Sequence, residues 1–143
     1  MIDPDRVLVP TFGRPGEDDA LAYALETFSE ADVTLLAVVT PLDAPLSEGG
    51  VLERSDERTA AARDRATRLR SAVDEGARDR VRIETVEGRP GRVVPQYATE
   101  EDVDHVVLSG HDDGSMGFAR RFLGRRIATT VVERTPRPVT VLE

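Results

Sequence analysis

RVLVPTFGRPGEDDALAYALETFSEADVTLLAVVTP, residues 6 to 41, reads as a strand, a helix and a second strand in succession. RVLVP (6–10) is a short β-branched run with no polar alternation, as expected of a strand buried on both faces. In GEDDALAYALETFSE (16–30), Leu21, Ala24, Leu25 and Phe28 recur at i, i+3, i+4 and i+7, the spacing of one helix face. Glu17, Asp18 and Asp19 fall in its first turn, where carboxylates complement the helix dipole. ADVTLLAVVTP (31–41) returns to a β-branched run and is stopped by Pro41.

The pattern continues beyond this unit. LDAPLSEGG (42–50) reads as a loop, and residues 51–77 as a long helix with Glu/Arg pairs on its wet face. RVRIETVEG (80–88) is a third strand. RPGRVVPQYATEE (89–101) is a short helix, with Pro90 in its first turn and Pro95 tolerable only near that end. DHVVLSG (104–110) is a fourth strand, a glycine-rich loop follows, a helix runs over about 125–134, and PVTVLE (138–143) is the last strand. Alternating strands and helices in 143 residues, without repeats or linkers, predict one domain over 1–143. The fold class is α/β: a doubly wound, five-stranded parallel sheet with helices on both faces. Such sheets take ligands at the carboxyl ends of their strands, where strand order reverses. The loops after the first and fourth strands, 11–19 and 110–117, therefore matter most.

Composition narrows the function classes. The chain has no cysteine, so disulfides and thiolate metal sites are excluded, and two histidines are too few for a His-rich metal site; no metal is expected. All 19 basic residues are arginine against 27 carboxylates, for a net charge of −8. That balance suits a halophilic surface, and equally a GC-rich genome; it argues against nucleic acid or an anionic membrane as partner. No apolar stretch approaches the roughly 20 residues that span a bilayer. The start MIDPDRVLVP lacks the basic and apolar segments of a signal peptide, so the expected location is cytoplasmic.

RVLVPT (6–11), ADVTLLAVV (31–39), EGRPGRVV (87–94), DHVVLSG (104–110), the glycine-rich stretch and RPVTVLE (137–143) together resemble the universal stress protein family, in the right order along nearly the whole chain. The resemblance implies the adenine-nucleotide alpha-hydrolase-like arrangement with strand order 3-2-1-4-5. ATP-binding members carry G-x2-G-x9-G-[ST] after the fourth strand. Here nine residues separate Gly114 from Gly124, as in that motif, and Gly117 precedes Phe118 where many members have Gly-Leu. Three features depart. Gly110 and Gly114 are separated by three residues instead of two, Arg125 stands where the closing hydroxyl is expected, and Phe12 follows Pro10 and Thr11 where such members have an aspartate. The resemblance makes Pro10, Thr11, Phe12, Val39, Gly110, His111, Gly114, Gly124, Arg125 and Arg126 the candidate nucleotide-binding residues, with ATP or AMP and Mg²⁺ as the ligands.

Their chemistry admits more than one reading. Glycines let backbone N–H groups converge on phosphate oxygens, and a helix N-terminus adds positive potential. Gly124 is either the floor of such a site or a break between two helical faces, Phe118, Ala119, Phe122 and Leu123 before it and Ile127, Ala128, Val131 and Val132 after it. Arg125 and Arg126, placed against the helix dipole, meet either phosphate, Asp112 or Asp113, or water; the salt bridge is preferred, because two loop carboxylates repel a triphosphate that Mg²⁺ does not bridge. Phe12 stacks on adenine or, as preferred here, packs at the rim. His111 reads as a loop residue and His105 as the entrance of a strand. The Glu17–Asp18–Asp19 cluster reads as dipole complementation.

No arrangement of nucleophile and base emerges, so no enzymatic activity is expected. The reading that results is a stress-response regulator acting as a homodimer on a protein partner, with a degenerate nucleotide site. The alternative is an ATP- or AMP-binding member using the loop 110–125, with Arg125 and Arg126 on the phosphates. The last strand, Val139, Thr140, Val141 and Leu142, is an edge that relatives pair across a two-fold axis; Pro136, Pro138 and Glu143 are the features that would protect it in a monomer.

Overall fold

The β-branched runs find parallel partners. β1 (Arg6–Thr11) pairs with β2 (Asp32–Val39), from Arg6 against Asp32 to Thr11 against Ala37, and β2 pairs with β3 (Val81–Glu87) on its other side. β4 (His105–Ser109) lies on the opposite side of β1, and β5 (Val139–Leu142) pairs with β4. The resulting five-stranded sheet has the order β3-β2-β1-β4-β5, all parallel, as expected. The structure, a computed structural model, describes residues 5–40, 48–110 and 127–142, with backbone alone over 48–55.

Alternation along each strand sends side chains to two separate cores. Val7, Val9, Val33, Leu35, Val39 and Val107 face α1 (Glu17–Thr27) and α2 (Glu48–Ser71), against Leu21, Ala24, Ala62 and Ala66. Leu8, Leu36, Val38, Val106 and Leu108 face α4 (Pro90–Glu100) and α5 (127–134), against Val93, Val94, Ala98 and Val131. Leu8, Leu35, Leu36, Val9 and Val106 are fully buried, each contributing roughly 1.5–3 kcal/mol by leaving water. Among the described residues no helix is long and apolar enough to cross a membrane.

Three expectations need correction. The helix read over 51–77 is two: α2 begins at Glu48, inside the stretch read as a loop, and ends at Ser71, and α3 (Glu75–Arg78) follows. The apolar spacing of Ala62, Ala66, Leu69, Val73 and Ala77 runs through the break, which is why the sequence suggests one helix. The Arg78 guanidinium folds back to donate to the carbonyls of Ser71 and Val73 at 3.1 and 3.0 Å, closing α2, while extended Asp74 starts α3. Pro95 sits deeper in α4 than its first turn, and the helix runs through it. Val132, placed by pattern with Ile127, Ala128 and Val131, is 44% exposed, because a step of 100° beyond Val131 leaves the sheet-facing stripe.

α1 carries no basic residue in its last turn, yet its carbonyls are not left to water. Arg80, just before β3, donates to the carbonyls of Leu25, Phe28 and Ala31 at 2.9–3.0 Å. This one guanidinium satisfies the helix end, complements its dipole and joins α1 to the edge of β3. Arg80→Ala is expected to lower stability by about 2–3 kcal/mol, with Arg80→Lys in between. Urea unfolding at fixed salt measures this; an unchanged midpoint for the alanine variant would contradict the role.

Candidate functional site

β1 delivers its last residues to the carboxyl edge of the sheet. Thr11 is buried and its hydroxyl donates to the carbonyl of Leu36 at 3.3 Å, so it fastens β1 to β2 and does not face outward. The next three backbone N–H groups turn together onto one acceptor. Phe12 donates to Glu17 Oε2 at 2.6 Å, and Gly13 and Arg14 donate to Oε1 at 3.2 and 3.1 Å. Gly13 has φ +80°, a conformation that a residue with a Cβ adopts at a cost, and it lets the chain wrap the carboxylate. Glu17 is only 5% exposed. Burial raises its pKa to about 6, outweighing the three N–H groups and the positive charge of Arg65, all of which lower it. Glu17 is therefore more than a dipole complement: it fills a concavity of N–H groups that an external anion would otherwise meet. Ser109, at the end of β4, anchors the far side of the same loop by donating to the Pro15 carbonyl at 3.1 Å.

Beside this loop lies a cleft of about 310 Å³ between the ends of β1 and β2 and the side of α2, lined by Phe12, Val38, Val39, Thr40, Arg58, Ala61, Ala62 and Arg65. Its floor is apolar: Val38 and Val39 are buried and Phe12 is half-buried. Its wall is a stripe of α2, Arg58, Ala61, Ala62 and Arg65, at i, i+3, i+4 and i+7. The two alanines leave the space and the two arginines supply the charge. Arg58 donates to the Thr40 carbonyl. The Arg65 guanidinium lies across Gly13, where a Cβ would come within 3.1 Å of its Nε. A concave apolar floor with a few convergent polar groups suits a small organic anion. Among the described residues no cluster of His, Asp or Glu is arranged to hold a metal.

The model of the universal stress protein family matches residues 4–143. The chain belongs to that family. Among solved structures it is similar to universal stress protein UspA from Lactobacillus plantarum, at 21% identity over 100% of both chains and a TM-score of 0.82. It is also similar to a universal stress protein in complex with cAMP (21% identity, 99% of both chains, TM-score 0.62). A third is a universal stress protein from Archaeoglobus fulgidus in complex with dAMP (14%, 100% of both chains, TM-score 0.53). At these identities the likeness is one of fold. Among proteins with curated descriptions none matches.

Of the candidate residues that the family resemblance supplied, the structure brings Phe12 and Val39 together in the cleft. Pro10 and Thr11 are buried in β1 and do not line it. Gly110 is committed to β5: its N–H donates to the Leu142 carbonyl at 2.8 Å, and a Cβ there would sit 2.8 Å from Val141 Cγ1. His111, Gly114, Gly124, Arg125 and Arg126 lie outside the described residues, with Asp112, Asp113, Gly117, Phe118, Ala119, Phe122 and Leu123. His105 opens β4, as read; its Nε2 is 2.7 Å from Thr140 Oγ1, its ring leans on Phe28, and burial lowers its pKa. Arg58, Arg65 and Glu17 are the residues the family pattern did not single out. The signal for the arginines was present as RTAAARDR (58–65), read as a solvated face.

A carboxyl that holds its proton more tightly when folded than at its ordinary value of 4.5 destabilises the fold as it ionises. Glu17 contributes nothing below pH 4.5 and costs up to about 2 kcal/mol once pH has risen through 6. Against Glu17→Gln, which cannot ionise, the wild type is expected to lose about that much relative stability between pH 4.5 and 7. Paired urea titrations across this range test it, and a difference that does not vary with pH would refute it.

Proposed function

We propose that this universal stress protein binds an adenine nucleotide in the cleft between β1, β2 and α2, and that it works as a homodimer joined through β5, passing occupancy to a protein partner. The observation that carries the reading is the cleft itself. It has an apolar floor of Phe12 and Val39 and two guanidiniums on its wall, at the strand ends where sheets of this kind take ligands. Two neighbours of the same fold, in complex with cAMP and dAMP, support adenylates as the class to try first. The cleft's cations come from α2 and not from the glycine motif, and one of the three departures, Phe12, forms part of its floor. The protein acts by binding and not by catalysis, and its acid-rich surface suits a cytoplasm of high salt.

The dimer rests on the edge. Among the described residues β5 pairs with β4 alone, and its β-branched residues Val139 and Val141 are left half-buried. Such an edge is a pairing surface unless covered.

Protein purified in molar KCl and then denatured is expected to release adenine nucleotide, detected by mass spectrometry, and the apo protein to bind AMP by calorimetry. Phe12→Ala is expected to weaken binding roughly tenfold, the worth of one aromatic stack. No released nucleotide together with no heat at millimolar AMP would overturn the nucleotide reading. Val141→Glu is expected to monomerise the protein in gel filtration at high salt; an unchanged dimer would refute pairing through β5.

A further inference from the structure

The cleft carries a second feature that the glycine motif does not account for. Among the described residues its charged lining residues are Arg58 and Arg65, which reach it from one face of α2, seven residues or about 10.5 Å of helix apart. Neither is tied to a carboxylate by an ion pair within 4.0 Å among the described residues. Glu17, which feels the charge of Arg65, is buried and occupied by three backbone N–H groups. The N–H concavity of the β1–α1 loop is therefore closed to an outside anion, while both guanidiniums line the cleft beside it. One Arg58 N–H is spent on the Thr40 carbonyl, which fixes that side chain along the cleft and leaves further donors on the same fork.

Resting on the nucleotide reading above, we infer that phosphate recognition in this protein is performed by Arg58 and Arg65 of α2, and that the ligand is a nucleoside monophosphate. Its base lies on Phe12 and Val39, and its phosphate lies between the two guanidiniums. Charge decides the class. A phosphate monoester carries about −1.5 to −2 at neutral pH, which two arginines neutralise. The planar guanidinium fork matches phosphate oxygens in pairs, and such charge-assisted bonds are roughly twice as strong as neutral ones. Ala61 and Ala62 keep the wall between the arginines low enough for the ligand to lie against α2.

The test compares AMP with adenosine by calorimetry at one fixed salt concentration, on wild type, Arg58→Gln, Arg65→Gln, Arg65→Lys and Gly124→Val. The readout is the ratio of AMP to adenosine affinity, which reports the phosphate alone. Each glutamine variant is expected to cut that ratio tenfold or more, Arg65→Lys to recover part of it, and Gly124→Val to leave it standing. A ratio unchanged in both glutamine variants but lost in Gly124→Val would place the phosphate on the glycine loop, overturning this inference while leaving the nucleotide reading intact. A wild type that binds AMP no better than adenosine would also overturn it. Binding of neither compound would overturn the inference and the nucleotide reading together.

Discussion

Three successive backbone N–H groups leave the end of β1 with no strand to donate to, and the carboxylate of Glu17, the first residue of the next helix, receives all of them. A parallel sheet surrounded by helices forces this problem on every chain that adopts it, because a strand's last donors point past its neighbours into the space where the next helix begins. Here one side chain solves it from within the first turn of α1. The solution sets the path of Phe12 to Arg14, and with it the floor of the cleft. It also takes up the amide groups of this loop, so that among the described residues the charged groups lining the cleft are the guanidiniums of α2.

The same economy recurs elsewhere in the fold. Arg80 closes the end of α1 across about 50 residues of sequence, and Arg78 closes the end of α2 from within the short helix that follows. Asp104 accepts the N–H groups of Asp5 and Arg6 at 2.9 and 3.0 Å, tying the start of β1 to the approach to β4. In a chain with no lysine, the planar, multiply donating guanidinium serves as the general-purpose cap for helix ends. Arg58 and Arg65 are conspicuous by comparison, since they line a cleft.

The strands were legible because a centrally buried parallel strand must be apolar on both faces, and runs such as VTLLAVV satisfy that with few other interpretations. Their order was legible only through the family resemblance, since nothing in β-branched periodicity says that β1 lies in the middle. The break after Ser71 was not legible: the apolar stripe crosses it unbroken, and the group that stabilises it is a side chain contact of Arg78. Glu17 was visible as a residue and misjudged as a role, because an acid in a first turn always satisfies the dipole argument whether or not its side chain folds back. The arginine stripe of α2 was available at helical spacing, but a pattern shows which residues share a face and not that β1 and β2 end beneath it. Gly110 illustrates the reverse case, a glycine chosen for its motif position whose missing side chain makes room for Val141.

The central claim is that the edge formed by β1, β2 and α2 is an adenylate site whose phosphate is met by α2. A crystal structure of the protein grown with AMP in molar salt tests it most directly. Expected is a base over Phe12 and Val39 with the phosphate oxygens within hydrogen-bonding distance of both Arg58 and Arg65, and Glu17 still holding its three N–H groups. A nucleotide bound with its phosphate remote from both arginines, or a cleft filled by the protein's own side chains at saturating AMP, would contradict it.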